Sequence, residues 1–328
     1  MNSNPPEKSF HSAEQASGSQ QKFWFLLLFL YLIVDLGRIQ DHLSIAFLRP
    51  GLIISAGLAC FLFIQGQFWL HIKQIRLLYL FLMLLLIHVP LAVNNYYAFQ
   101  TARAFFIFLI FILAVVSLLD STEKIKKFLN MWIGITLYIS IFAIFNLGKG
   151  SGGWFADEND LSLYLNTMLP FCFFLFLIEN KFWKRALYIA TALASLIAEV
   201  ISFSRGGFVG LAAMFVFMIL FSKKKILTLI FVSLIGIGVF YYGGEAYRNE
   251  METITETQSG TAQARLQYWK AAWRMFIDNP FGVGGNNFQV RFPEYQSDWF
   301  GRGMWGRVAH SLWFTLIPEL GIFGIFIY

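Results

Sequence analysis

The side chains with the clearest chemical potential are two arginines and a histidine. Arg205 lies in Ser202-Phe203-Ser204-Arg205-Gly206-Gly207, a connection of almost no length between two strongly apolar stretches. An ionisable group at a membrane boundary is a functional candidate by default, because unpaired charge is costly there. The two glycines let a bulky group or a neighbouring backbone come close. The plainer reading is an arginine that caps a helix end and pairs with a carboxylate. Arg265 stands at the edge of an apolar helical face made by Leu266, Trp269, Trp273, Phe276 and Ile277, from which Lys270 and Arg274 are expected to point away. A guanidinium aimed at apolar packing needs an anion or an ion-pair partner, so a phosphate ligand and an interfacial arginine are the two readings. His310, in Ala309-His310-Ser311-Leu312-Trp313, sits at the mouth of a basic segment, where an imidazole can take a proton at neutral pH. Glu319 follows Pro318 inside the last apolar run and is placed either to pair with an arginine or to orient the histidine.

Two further polar groups have plainer uses. Asp157, Glu158, Asn159 and Asp160 could hold a divalent cation, but capping of the following helix is the commoner role and is the one expected. Asp35, Arg38, Asp41 and His42 form another polar cluster with a weaker claim. No Walker loop, dinucleotide fingerprint, His-Glu-x-x-His or Gly-x-Ser-x-Gly elbow is present.

The elements that must position these groups follow from composition. The 328 residues are 57% hydrophobic and 13% charged, with a mean hydropathy of +0.60. A soluble domain runs at roughly 45–50% apolar and about 25% charged. The chain, with 38 Phe and 10 Trp, is therefore expected to be all-α, a polytopic helical membrane protein. Cys60 and Cys172 both lie in apolar runs, which excludes a disulfide framework. The formal net charge of +6 belongs to loops between spans, so no nucleic-acid partner is expected.

Residues 1–21 read as a disordered polar tail, 22–242 as nine transmembrane helices, 243–309 as a long loop carrying short helices and 310–328 as a tenth span. The apolar segments fall at about 22–37, 45–64, 77–93, 103–119, 128–146, 161–178, 186–203, 206–222, 226–242 and 311–328. The last run reaches Tyr328 without a polar stop, the pattern of a truncated protein. Lys73, Arg76, Lys124, Lys126, Lys127, Lys181, Lys184, Arg185, Lys223, Lys224 and Lys225 collect in alternate short loops, which puts the N-terminus in the cytoplasm and 243–309 outside. No internal repeat supports an inverted-repeat transporter. In the long loop, Gly243–Gln258 is acidic and the sign reverses from Arg265 onward. A helix is predicted over Thr261–Ile277, stopped by Asn279-Pro280 and followed by a flexible turn at Gly282, Gly284 and Gly285. Chemistry on the outer side has no direct access to nucleotides, so an activated donor must arrive across the membrane as a lipid.

Four segments then carry a resemblance. FADENDLSLYLNTMLP, SRGG, ARLQYWKAAWRMFIDNPFGVGGNNF and AHSLWFTLIPELGIFG occur in the order and on the side seen in the O-antigen ligase and polymerase superfamily, which the chain resembles from about Trp154 onward. Ser311 follows His310 where the family usually has Asn, and its members continue for further helices. The resemblance implies an inner-membrane enzyme with a periplasmic active site. It would move a glycan from an undecaprenyl-pyrophosphate carrier to a glycolipid, glycan or protein hydroxyl, in an inverting reaction with no cofactor and no metal. It implies His310, Arg205 and Arg265 as catalytic residues, with Arg205, Arg265, Gly206, Trp269, Arg291 and Glu319 in substrate binding. A ligase is the first reading; a repeat-unit polymerase has the same chemistry with a glycan acceptor. A lipid-linked-glycan flippase or transporter is the less favoured third, because the ionisable groups gather at one face.

Overall fold

The computed structural model describes residues 8–66, 68–242, 260–301 and 303–328. Every described element is helical. In chain order the helices are α1 (Lys8–Asp35), α2 (Ile39–His42), α3 (Pro50–Gln65), α4 (Lys73–His88), α5 (Asn95–Leu118), α6 (Thr122–Phe145) and α7 (Glu158–Ile178). They continue as α8 (Phe182–Ile201), α9 (Arg205–Phe221), α10 (Lys225–Tyr242), α11 (Gly260–Asp278), α12 (Phe288–Tyr295) and α13 (Leu312–Ile327). Each of the ten apolar segments read from the sequence holds a helix. Among the described residues, four helices are long and apolar enough to cross a membrane, at 46–65, 95–118, 122–145 and 158–178. α1 begins at Lys8, within the polar segment 1–21, and runs into the first apolar segment. The acidic opening of the long loop at 243–258 lies outside the described residues.

The chain divides into two compact units, residues 1–57 with 118–255, and residues 58–117 with 256–328. In the first unit α8 packs on α6 and α7, and α7 packs on α9. Lipid tails are as apolar as leucine, so close packing and interhelical hydrogen bonds hold such helices together. The seams match that requirement. Ala192, Ala194 and Ala198 are buried on α8. The Ser140 and Ser195 hydroxyls meet at 3.0 Å and those of Thr136 and Tyr164 at 2.8 Å. Around these contacts Met168, Leu169, Phe173, Tyr188, Leu211 and Phe215 fill the core.

In the second unit α13 packs against α11 and α4. Tyr268, Met275, Phe288 and Phe292 close a separate aromatic core between α11, α12 and the approach to α13. The last helix is broken. Gly321 has φ +62° and ψ −158°, and the loop before α12 threads into the gap. Ile322 N donates to Pro280 O at 2.9 Å, while Val283 N and Gly284 N donate to Pro318 O and Glu319 O at 2.9 and 2.8 Å. A Cβ on Gly321 would lie 2.4 Å from Pro280 O and from Phe281 C, so only glycine fits. The turn at 282–285, expected to be flexible, is therefore clamped through its backbone.

Candidate functional site

Arg205 belongs to the first unit and opens α9. Ser204 caps that helix: its hydroxyl accepts from Gly207 N at 2.9 Å and donates to Asn159 Oδ1 at 2.9 Å. Asn159 sits in the first turn of α7, which Asp157 caps by accepting from Asn159 N at 2.8 Å and Asp160 N at 3.4 Å. The N-terminal ends of α7 and α9 are thus joined by Asp157, Asn159 and Ser204, side by side at one end of the unit. Both ends carry the positive pole of a helix dipole, and the carboxylates of Asp157, Glu158 and Asp160 stand at the start of α7. Arg205, half-buried, adds a full charge there. The acidic segment expected to cap a helix does so at Asp157.

Below this end, α7 and α9 enclose a groove of about 530 Å³ lined by Asn159, Leu163, Asn166, Pro170, Gly206, Gly207, Gly210, Met214 and Phe217. The stripe of glycines on α9 makes its floor. At Gly207 a Cβ would come within 2.3 Å of Glu199 Oε1 and 2.5 Å of Ser162 Oγ, so the close approach of α7, α8 and α9 requires a residue without a side chain. Glu199 is 2% exposed. Asn166 Nδ2 donates to Gly207 O at 3.0 Å and to Glu199 Oε1 at 3.4 Å. Sequence reasoning passed over Glu199; an acid inside the apolar run 186–203 is the signal that marks it.

Arg265 and His310 belong to the second unit. Arg265 and Tyr268 are three residues apart on α11 and share a face. The Tyr268 ring lies 6.2 Å from the His310 ring. Trp269 Nε1 donates to Ala309 O at 2.9 Å, and its indole stacks on Phe314 with centroids 5.0 Å apart. The face of α11 that carries Arg265 is therefore the one that holds the His310 peptide. His310 itself is exposed and has φ +49°. Left-handed backbone is uncommon outside glycine, though histidine tolerates it better than most, and such strain gathers at functional positions. Ser311 then caps α13, accepting from Phe314 N at 3.5 Å. The Nε atom of Arg265 is buried with no hydrogen-bond partner among the described residues. A buried guanidinium N–H left open costs free energy unless a ligand fills it.

The other candidates have structural partners. Glu319, 8% exposed, accepts from Asn286 N at 2.8 Å and Phe288 N at 3.1 Å, so both carboxylate oxygens are engaged by the loop and the start of α12. Arg291 pairs with Glu294 at 2.8 Å and donates to Asn279 Oδ1 at 2.8 Å. That pairing, chiefly the hydrogen bond to Glu294, pushes its pKa above the usual arginine value. Arg38 pairs with Asp41 at 2.9 Å. Lys270 and Arg274, expected to point away from the apolar face of α11, instead line a groove with Trp269 and Trp273.

Two further buried side chains escaped the sequence reading. His88 is 4% exposed, and its ring nitrogens lie 2.8 Å from Leu84 O and 2.7 Å from Phe281 O. Asn287, fully buried, accepts from Asn94 N at 2.8 Å and donates to Asn94 O at 3.2 Å. A histidine inside the apolar run 77–93 was a usable signal; Asn287 in a glycine-rich turn was not.

Residues 190–328 match the family model described as O-antigen ligase. No curated protein matches the chain, and no solved structure does. The matched region contains Arg205, Arg265 and His310, and supports the O-antigen ligase and polymerase superfamily. With the apolar helices, it points to a bacterial membrane protein.

Proposed function

With the O-antigen ligase and polymerase superfamily as the premise, we propose that this protein transfers an oligo- or polysaccharide from an undecaprenyl-pyrophosphate carrier to a hydroxyl acceptor. The reaction takes place on the outer face of the inner membrane, with the N-terminus in the cytoplasm. The observation that carries the reading is Arg205 at the joined N-terminal ends of α7 and α9, directly above an apolar groove between the same helices. A lipid pyrophosphate needs both parts, positive charge for the head and an apolar channel for the chain.

In this reading the acceptor oxygen attacks the anomeric carbon as the bond from that carbon to the phosphate oxygen breaks, with inversion. The acceptor proton passes to the His310 imidazole. The electron pair leaves with the pyrophosphate, where charge grows on the bridging oxygen. Arg205 and Arg265 stabilise that charge with paired N–H donors, and the open Nε of Arg265 is one of them. The guanidinium groups and the helix ends supply the positive charge that a metal supplies elsewhere, so the chemistry is metal-independent. Glu319 holds the loop that precedes α12, and Trp269 holds the His310 peptide.

The test is incubation of the purified protein with a lipid-pyrophosphate glycan and a panel of glycolipid, glycan and protein acceptors, with products read by mass. Transfer to glycolipid or protein supports a ligase, and chain growth on a second carrier-linked glycan supports a polymerase. Chelator should leave the rate unchanged. Movement of the lipid-linked glycan across vesicles with no transfer to any acceptor overturns the proposal.

A further inference from the structure

The second unit holds another groove, of about 500 Å³, between α11 and α13. Trp269, Trp273, Phe314 and Ile317 make its walls, and Lys270 and Arg274 stand at its edge. Spaced four apart on α11, the two cations share one face of the helix. Neither has an ion pair or hydrogen bond among the described residues, in contrast to Arg291 and Arg38, which are held by neighbouring carboxylates. Trp273 is half exposed, and its indole joins the groove to the basic edge. Tryptophan and cationic side chains together mark the level of lipid headgroups.

We propose that this groove is a binding site for an anionic phospholipid of the surrounding bilayer. An acyl chain lies along Trp269, Trp273, Phe314 and Ile317, and the headgroup phosphate is met by the Lys270 ammonium and the Arg274 guanidinium. Charge complementarity selects the occupant: apolar walls beside two cations that have no partner among the described residues suit an amphiphile with one negative head, whereas a zwitterionic lipid brings a cation of its own. The site rests on the geometry of α11 and α13 and not on the transfer reaction. Its occupant would brace Trp269 and Phe314, and through Trp269 the peptide that carries His310.

Binding of phosphatidylglycerol and of phosphatidylcholine to the purified full chain, measured by native mass spectrometry and by thermal stability in mixed micelles, tests the proposal. Phosphatidylglycerol should bind more tightly and raise the melting temperature. Lys270→Ala with Arg274→Ala should weaken its binding roughly thirtyfold, about 1 kcal/mol for each lost cation, and leave the binding of phosphatidylcholine unchanged. Both side chains are exposed on the surface of α11, so the variant should keep the melting temperature of the parent in neutral detergent. Equal binding of the two lipids overturns the proposal, as does preference for phosphatidylglycerol that survives the double variant. If a polyprenyl phosphate alone binds through Lys270 and Arg274, the groove belongs to the glycan donor and the phospholipid assignment fails.

Discussion

Trp269 donates its indole N–H to the carbonyl oxygen of Ala309 across 2.9 Å, and so fixes the peptide on which His310 is mounted. The bond joins α11 to the residues that lead into α13, and the stacking of Trp269 on Phe314 reinforces it. His310 needs such support because its left-handed backbone is not the conformation that a free chain prefers. Trp269→Phe keeps a ring for the stack and removes the N–H. The stability loss should be about 0.5–1.5 kcal/mol, the usual net worth of one hydrogen bond, while glycan transfer falls by more than that loss explains. Thermal melting and initial rates measured on the same preparation separate the two effects.

Arg265 should act through its planar fork. Arg265→Ala should lower transfer by about 10²–10³-fold, the scale of losing one preorganised donor at a developing charge. Arg265→Lys should remain poor, because an ammonium cannot place two parallel N–H groups. Wild-type rates in the lysine variant would reduce Arg265 to an interfacial charge.

His310→Ala should leave folding and donor binding intact while transfer falls by about 10²–10⁴-fold, the typical contribution of a general base. Wild-type transfer in the variant would assign the acceptor proton to another group.

Glu319 and Gly321 should behave as parts of the clamp on the 280–287 loop. Glu319→Gln leaves one of two backbone N–H donors facing an amide N–H, at a cost of about 1.5–3 kcal/mol for a hydrogen bond to a charged group. Activity per folded molecule should change little. Gly321→Ala meets Pro280 O and Phe281 C as well as an unfavourable φ, and should be worse than Glu319→Gln by thermal melting. A Glu319→Gln protein with wild-type stability and no transfer would move the carboxylate into the chemistry.

Glu179 gives an acid-sensitive prediction away from the site. Its carboxylate accepts from Lys181 N and Asn180 N, each at 3.0 Å, and pairs with Lys184 at 3.2 Å. The bond from Lys181 N, followed by those from Lys184 and Asn180, holds its pKa below the ordinary glutamate value of 4.5. A lowered folded-state pKa contributes stability above the unfolded value, and that contribution is lost as pH falls through the folded one. Glu179→Gln should therefore melt lower than wild type at neutral pH, and the difference should shrink below about pH 4.5. A gap that stays constant from neutral to acid pH would show that the charge contributes nothing.

Much of the helical scaffold was legible from local pattern alone. The helix predicted over Thr261–Ile277 is α11 at Gly260–Asp278, and Asn279-Pro280 ends it as read. Asp157 and Ser204 cap the helices that follow them because a cap acts within three residues, a distance that spacing along the chain controls. Only the tertiary structure decided what the lone polar groups do. Glu319 is satisfied by amides of residues 286 and 288, and His88 meets Phe281 O, through contacts that no local period encodes. Arg265 and Arg291 look alike in sequence, yet one keeps a buried N–H open while the other is taken up by Glu294 and Asn279. A segment's own residues dictate whether it is a helix. Whether its charges are free depends on which distant groups the packing brings within about 3 Å.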